Sequence, residues 1–207
     1  MKPTRAQEGS RTRILNAALR VIRAKGYSAA TVDDICGAAH VSKGSFFHHF
    51  ASKEELALAA AEHFAAMADR LFATAPYRAA ANPLERLLGY VDFRMAILHG
   101  DLPEFTCLLG TMVQETYETH PAIRVACDRY ISAHAADVAT DIAEAKRVHA
   151  PNAPWSAESL GLFTQSVIQG AFILAKAKYG PEIATECLGH LRRYLETQFT
   201  PAGIEGT

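Results

Sequence analysis

The sequence predicts an all-α protein: an N-terminal three-helix bundle followed by a larger C-terminal helical bundle, about nine helices and no sheet. Three observations predict it. Apolar residues recur at helical spacing, and no run shows convincing strand alternation. Cap residues and Pro or Gly breaks punctuate the apolar segments at regular intervals. The 207 residues are 49% apolar and 21% charged, enough for a sizeable core and unlike a disordered tail.

The elements follow in order. Residues 1–9 read as a flexible arm. From Ser10 to about Lys25, Ile14, Leu15, Ala18, Leu19 and Ile22 form an apolar stripe opposite Arg13, Asn16, Arg20 and Arg23, and Gly26 is a natural stop. Thr31 and Asp34 make a near capping box for a short helix that ends about Ala39. Ser42 caps a second short helix, from about Lys43 to His49. Ser52-Lys53-Glu54-Glu55 is a full capping box, opening a long helix that Pro76 stops. Pro83 opens a helix to about Leu98, and Pro103 another to about Glu118. A long helix runs from Pro121 to about Val148. Ser156 caps one to about Tyr179, and the last ends near Gln198 before a tail that frays from Pro201.

The formal net charge of −1 argues, taken whole, against a polyanionic partner. Its distribution argues the other way. Residues 1–60 carry nine Lys/Arg against five Asp/Glu, and residues 61–207 carry twelve against seventeen, so a +4 head precedes a −5 body. The N-terminus lacks a secretory apolar core, and no stretch approaches 18 uninterrupted apolar residues, so neither a signal peptide nor a membrane span is expected. Cys36, Cys107, Cys127 and Cys187 are widely spaced, without a metal or disulfide pattern, and a reduced cytoplasmic setting is the expectation.

A helix, two short helices joined by a tight break, then a long helix is the arithmetic of a helix-turn-helix unit. In such a unit the second short helix enters the major groove and presents its N-terminal residues to base edges. Here those residues are Ser42, Lys43, Gly44 and Ser45, with Phe47, His48 and His49 behind them. Lys43 can donate to guanine or phosphate, and the small Gly44 and Ser45 allow close approach. Lys53 and Thr31, at the starts of their helices, can meet phosphates. Phe46 and Phe50 are read as core. His48 and His49 are adjacent on a helix, share no face, and are not a metal pair.

The run Thr31-Val32-Asp33-Asp34-Ile35, then Val41 through Leu56, resembles the DNA-binding domain of TetR-type repressors, without gaps from about Arg11 to Leu58. The resemblance implies a DNA-binding domain over 1–55 and an effector-binding and dimerisation domain over 56–207. It implies a homodimer that binds double-stranded operator DNA and answers to a small-molecule effector, with the last two helices forming the interface. Two positions depart from the family pattern. His40 stands where Gly is usual, at a turn that often needs positive φ, which His tolerates better than most residues. Phe47 stands where a phosphate-binding Tyr is common, which implies one fewer phosphate contact per subunit.

In the body, the helix from Ser156 is apolar nearly all round, as expected of a helix buried twice. Leu160, Phe163, Val167, Ala171 and Leu174, with Cys187, Leu188, Leu191 and Leu195 on the last helix, form the expected dimer seam. Phe93, Leu98, His99, Phe105, Cys107, Leu108, Thr111, Met112, Tyr117, Gln165, Gln169 and Phe172 are the expected lining of an effector pocket. The stretch Phe105 to Gly110, with Gln114-Glu115 and His120-Pro121, is similar to the LmrA/YxaF-like subgroup. Nothing in the sequence matches a nucleophile elbow, a phosphate-binding Gly loop or H-E-x-x-H, so no enzyme, cofactor or metal is expected. The alternative reading is a small-molecule or thiol-based redox module with weak or no DNA binding, centred on Cys107.

Overall fold

The computed structural model describes residues 9–200, so the arm assigned to 1–9 and the tail from Pro201 lie outside the described residues, apart from Gly9. Those residues form ten α-helices, one 3-10 turn and no strand. The helices are α1 (Ser10–Lys25), α2 (Val32–Ala39), α3 (Lys43–His49), α4 (Lys53–Ala73), α5 (Pro83–Ala96), α6 (Leu102–Phe105), α7 (Leu108–Thr116), α8 (Pro121–His149), α9 (Ala157–Lys178) and α10 (Glu182–Phe199); the 3-10 turn is Pro76–Ala79.

The caps explain the boundaries. Thr31 accepts from the Asp34 amide while Asp34 reaches back to the Thr31 amide, the full reciprocal box. Ser42 accepts from the Ser45 amide at 3.1 Å, and Ser156 from Ser159 at 3.0 Å. His40 ends α2 in the left-handed conformation with φ 53°, and the Val41 amide bonds back to the Cys36 carbonyl. One expectation fails: the helix opened by Pro103 does not reach Glu118. It breaks after one turn, because Thr106 turns extended and bonds its hydroxyl to the Leu102 carbonyl. Cys107 then caps a new helix, its sulfur accepting from the Gly110 amide at 3.4 Å.

Packing divides the described residues into two compact units, those up to 69 with 101–130, and 70–100 with those from 131 onward. This grouping differs from the division expected at residue 55, because α6 and α7 pack against α1. The first unit buries Ile14, Leu15, Ala18, Leu19 and Ile22 of α1 against Ile35, Phe46, Phe50, Leu56, Leu108 and Met112. Each of the Leu, Ile, Phe and Met side chains stabilises by roughly 1.5–3 kcal/mol relative to exposure. Arg23 Nη1 donates to the carbonyls of Glu104 and Thr106, both at 3.2 Å, which ties α1 to the end of α6. Burial lowers the pKa of that guanidinium to about 10. Gly26 turns the chain with φ 86°, where any side chain would be strained and would land on the Glu115 carboxylate. That carboxylate accepts from the Ser28 amide at 2.8 Å.

In the second unit α9 packs on α10, and α10 on α5. Its core includes Leu87, Val91, Ile142, Ile168, Leu188 and Leu195. Asp141 is shared by Arg78 at 2.9 Å and Arg86 at 3.1 Å, and Arg86 also pairs with Glu144. Arg192 holds Asp92 at 2.7 Å. Among the described residues α9 is the one helix long and apolar enough to cross a membrane, and nearly half of it is core.

Candidate nucleic-acid interface and ligand site

The short helix α3 presents two faces. Phe46 and Phe50 are buried, and their rings pack at 5.9 Å. Ser42, Lys43, Gly44, Phe47 and His48 are exposed, and Ser45 is half-buried. Phe47 is 56% exposed, so this aromatic is surface and not core. Lys43 is exposed and reaches Asp33 on α2 at 2.8 Å, a solvent-screened pair that a phosphate could replace. Asp33 raises the lysine's pKa by hydrogen bonding and by its charge. His49 is half-buried and hydrogen-bonds Ser10 at 2.6 Å, tying the end of α3 to the start of α1.

Two expected phosphate contacts are spoken for. Thr31 gives its hydroxyl proton to Asp34 at 2.8 Å and accepts from the Asp34 amide, so its side chain completes a cap. Lys25 and Thr31 together hold the Asp34 carboxyl down at about 2. Lys53 donates to the carbonyls of Tyr27, Ala30 and Ser28 at 3.0, 3.2 and 3.4 Å. It is a strut for the α1–α2 turn, a role that spacing alone does not reveal.

The expected effector lining is divided between the two units. Phe105, Cys107, Leu108, Thr111, Met112 and Tyr117 belong to the first. There Leu108 and Met112 are fully buried core, Phe105, Cys107 and Thr111 are half-buried, and Tyr117 is exposed. Phe93, Leu98, His99, Gln165, Gln169 and Phe172 belong to the second. There His99 is exposed, Leu98 and Phe172 are buried and Gln169 is half-buried.

Phe93 and Gln165 join a polar cluster that the sequence reading missed. Tyr90 Oη accepts from Arg94 Nε and from Gln165 Nε2, each at 3.1 Å, and meets His134 Nε2 at 3.0 Å. Arg94 Nη2 reaches the same His134 nitrogen at 3.1 Å. The Arg94 guanidinium lies 4.4 Å from the Phe72 ring centroid. Phe93 stands at 5.8 Å from Phe72 and 5.9 Å from Tyr77. Burial, reinforced by the charges of Arg94 and Arg78, lowers the His134 pKa to about 3 and keeps its ring neutral. Burial pushes the Tyr77 phenol up to about 12. The legible signal was a Tyr90–Arg94 pair at i,i+4 and a histidine on a largely apolar helix.

The residues of the expected dimer seam differ in burial. Leu160, Ala171, Leu188, Leu191 and Leu195 are buried within the second unit and unavailable to a partner, while Val167 and Cys187 are half-buried. Phe163 and Leu174, each 41% exposed, remain on the surface with Leu162, Ile173 and Tyr194. Phe163 and Tyr194 join α9 to α10 on that outer face at 5.0 Å. Periodicity marks α9 as apolar all round but does not say which stripe its own chain covers.

A helical protein with a helix-turn-helix head is of the class of DNA-binding regulators. Residues 14–60 match the domain described as bacterial regulatory proteins, tetR family, and residues 83–183 the LmrA/YxaF-like transcriptional regulator C-terminal domain. The chain belongs to the TetR family of transcriptional regulators.

Among curated relatives, it is 30% identical over 114 residues to the HTH-type transcriptional repressor DhaR of Mycobacterium sp. (strain GP1), covering 55% of this chain and 56% of that one. It is 37% identical over 106 residues to the transcriptional regulator AcuR of Cereibacter sphaeroides, covering 49% and 47%. The chain thus spans about half the length of the curated relatives it matches. A solved TetR regulatory protein from Rhodobacter sphaeroides superposes with a TM-score of 0.77 at 27% identity, covering 89% of this chain and 98% of that one.

Proposed function

We propose that this chain is a homodimeric, ligand-responsive transcriptional repressor of the cytoplasm. Residues 1–55 read a pseudo-palindromic operator through the major groove, and residues 56–207 dimerise and bind a small-molecule effector that releases the DNA. The observation that carries the reading is the two-faced α3: Phe46 and Phe50 lock it into the head, and Ser42, Lys43, Gly44, Phe47 and His48 are left exposed. The outer stripe of Phe163, Ile173, Leu174 and Tyr194 supports dimerisation, because large apolar groups gathered on one face mark an interface. Binding to duplex DNA from upstream of the gene, titrated across salt, tests the reading. Affinity should fall steeply with salt. A dimer that binds specific and random DNA equally at low salt contradicts it.

A second reading, a thiol-based sensor with weak or no DNA binding, rests on Cys107. Its half-buried sulfur caps α7, accepting from the Gly110 amide at 3.4 Å. Operator affinity that is unchanged by iodoacetamide in the wild type removes this reading. Affinity lost on alkylation, and preserved in Cys107→Ser, supports it.

A further inference from the structure

Arg94 is a half-buried cation with no carboxylate partner among the described residues. The nearby acids of the second unit are committed elsewhere: Asp141 and Glu144 to Arg78 and Arg86, and Asp92 to Arg192. The groups that do meet Arg94 are neutral. Tyr90 Oη accepts a hydrogen bond from Nε, and His134 Nε2 accepts one from Nη2. Nη1 has no partner. A half-buried guanidinium with neutral hydrogen-bond partners and no carboxylate gains a charge-assisted partner when an anion arrives.

A second, independent observation sits beside it. The Tyr77 hydroxyl is buried and makes no hydrogen bond, although its residue is only 8% exposed. Both groups pack against Tyr90, whose ring centroid lies 5.9 Å from that of Tyr77 and 5.5 Å from the Arg94 guanidinium. Tyr77 is set there by Gly89 on α5, where an added Cβ would stand 2.7 Å from the Tyr77 Cβ. A buried, unpaired hydroxyl is costly to the free protein, and a ligand that accepts from it removes that cost. The walls are apolar: Phe72, Phe93 and the ring of Tyr90.

We infer that this cluster is a binding site for a small organic carboxylate, its oxygens on Arg94 and Tyr77 and its apolar body against Phe72 and Phe93. The neutral His134 and Gln165 orient Tyr90, which in turn holds Arg94. This assignment rests on the reading of the body as effector-binding, and it names the effector's chemical class.

The test uses full-length protein and three acids, acetate, benzoate and phenylacetate, each paired with its primary amide. Affinities are measured by calorimetry. At least one acid should bind about tenfold or more tighter than its amide. Arg94→Gln should erase that preference, and Arg94→Lys should keep part of it. Tyr77→Phe should lower acid affinity about tenfold while leaving the melting temperature unchanged or raised, because it removes a hydroxyl that is unpaired in the free protein. A purely structural Tyr77 would do the reverse. Should Arg94→Gln fail to fold, Tyr77→Phe decides alone. Equal binding of every acid and amide, no binding of any acid, or a preference that survives Tyr77→Phe and any folded Arg94→Gln, overturns the proposal. Release of labelled operator separates it from the effector reading. An acid bound through Arg94 that leaves the operator in place overturns the effector reading and keeps the site. An amide that releases the operator, with no acid preferred, keeps the effector reading and overturns the site.

Discussion

The ammonium of Lys53 lies 3.0 Å from the carbonyl oxygen of Tyr27 and 4.4 Å over the ring of the same residue. One side chain of α4 thereby closes the turn between α1 and α2. Lys53→Ala should therefore destabilise the protein by about 1–3 kcal/mol, since it strands carbonyls that have no other described donor. Lys43→Ala, at an exposed pair, should leave the urea midpoint in place. It should lower operator affinity and reduce the salt slope by about one per subunit. Urea unfolding beside DNA titration checks both. Equal loss of stability in the two variants would contradict the assignment.

His40 holds φ 53° at the end of α2. A side chain in that region costs about 1–2 kcal/mol, which glycine avoids. His40→Gly should raise stability by about 1 kcal/mol, read as a higher melting temperature. The amide bonds from His40 to Cys36 and Gly37 should be retained. A lower melting temperature would show that the His40 side chain contributes something the geometry does not account for.

His134 predicts a pH dependence. Its pKa is about 3 in the fold and near 6.5 when unfolded. Between those values the unfolded chain binds the extra proton, so stability falls as pH drops below about 6.5. The expected loss is about 1–2 kcal/mol between pH 7 and pH 5. His134→Gln should flatten that part of the curve. Wild type and variant with parallel pH profiles in chemical denaturation would contradict a buried neutral histidine.

The outer stripe of α9 and α10 predicts a second variant. Phe163→Glu places a charge on a 41% exposed ring that meets Tyr194. It should convert dimer to monomer in sedimentation velocity. Operator binding should weaken at least tenfold, because two heads no longer act together. Helix content should be unchanged. A dimer that survives Phe163→Glu would place the interface elsewhere.

Most of the fold was legible, because caps and breaks are local chemistry. Thr31, Ser42, Ser52 and Ser156 each start the helix that their side chains suggest. Thr106 and Cys107 were not legible as a break, since neither is a strong helix breaker and the bonds that end α6 are side-chain choices. On α3, the division between buried Phe46 and Phe50 and exposed Phe47 follows from periodicity. The ligand cluster was largely hidden. Tyr77, Arg94 and His134 come from three elements, and only tertiary packing reveals that Arg94 lacks an acid and Tyr77 a partner. Which stripe of α9 its own chain covers was not legible, because α9 is apolar on both faces.

The central claim is that α3 reads DNA as one half of a two-fold pair. Selection from a pool of random duplexes tests it most directly. The account predicts an enriched inverted repeat, its half-sites a whole number of turns of roughly 10.5 base pairs apart, with enrichment lost for Lys43→Ala combined with Phe47→Ala. No enriched motif, or the same motif enriched by the double variant, would contradict it.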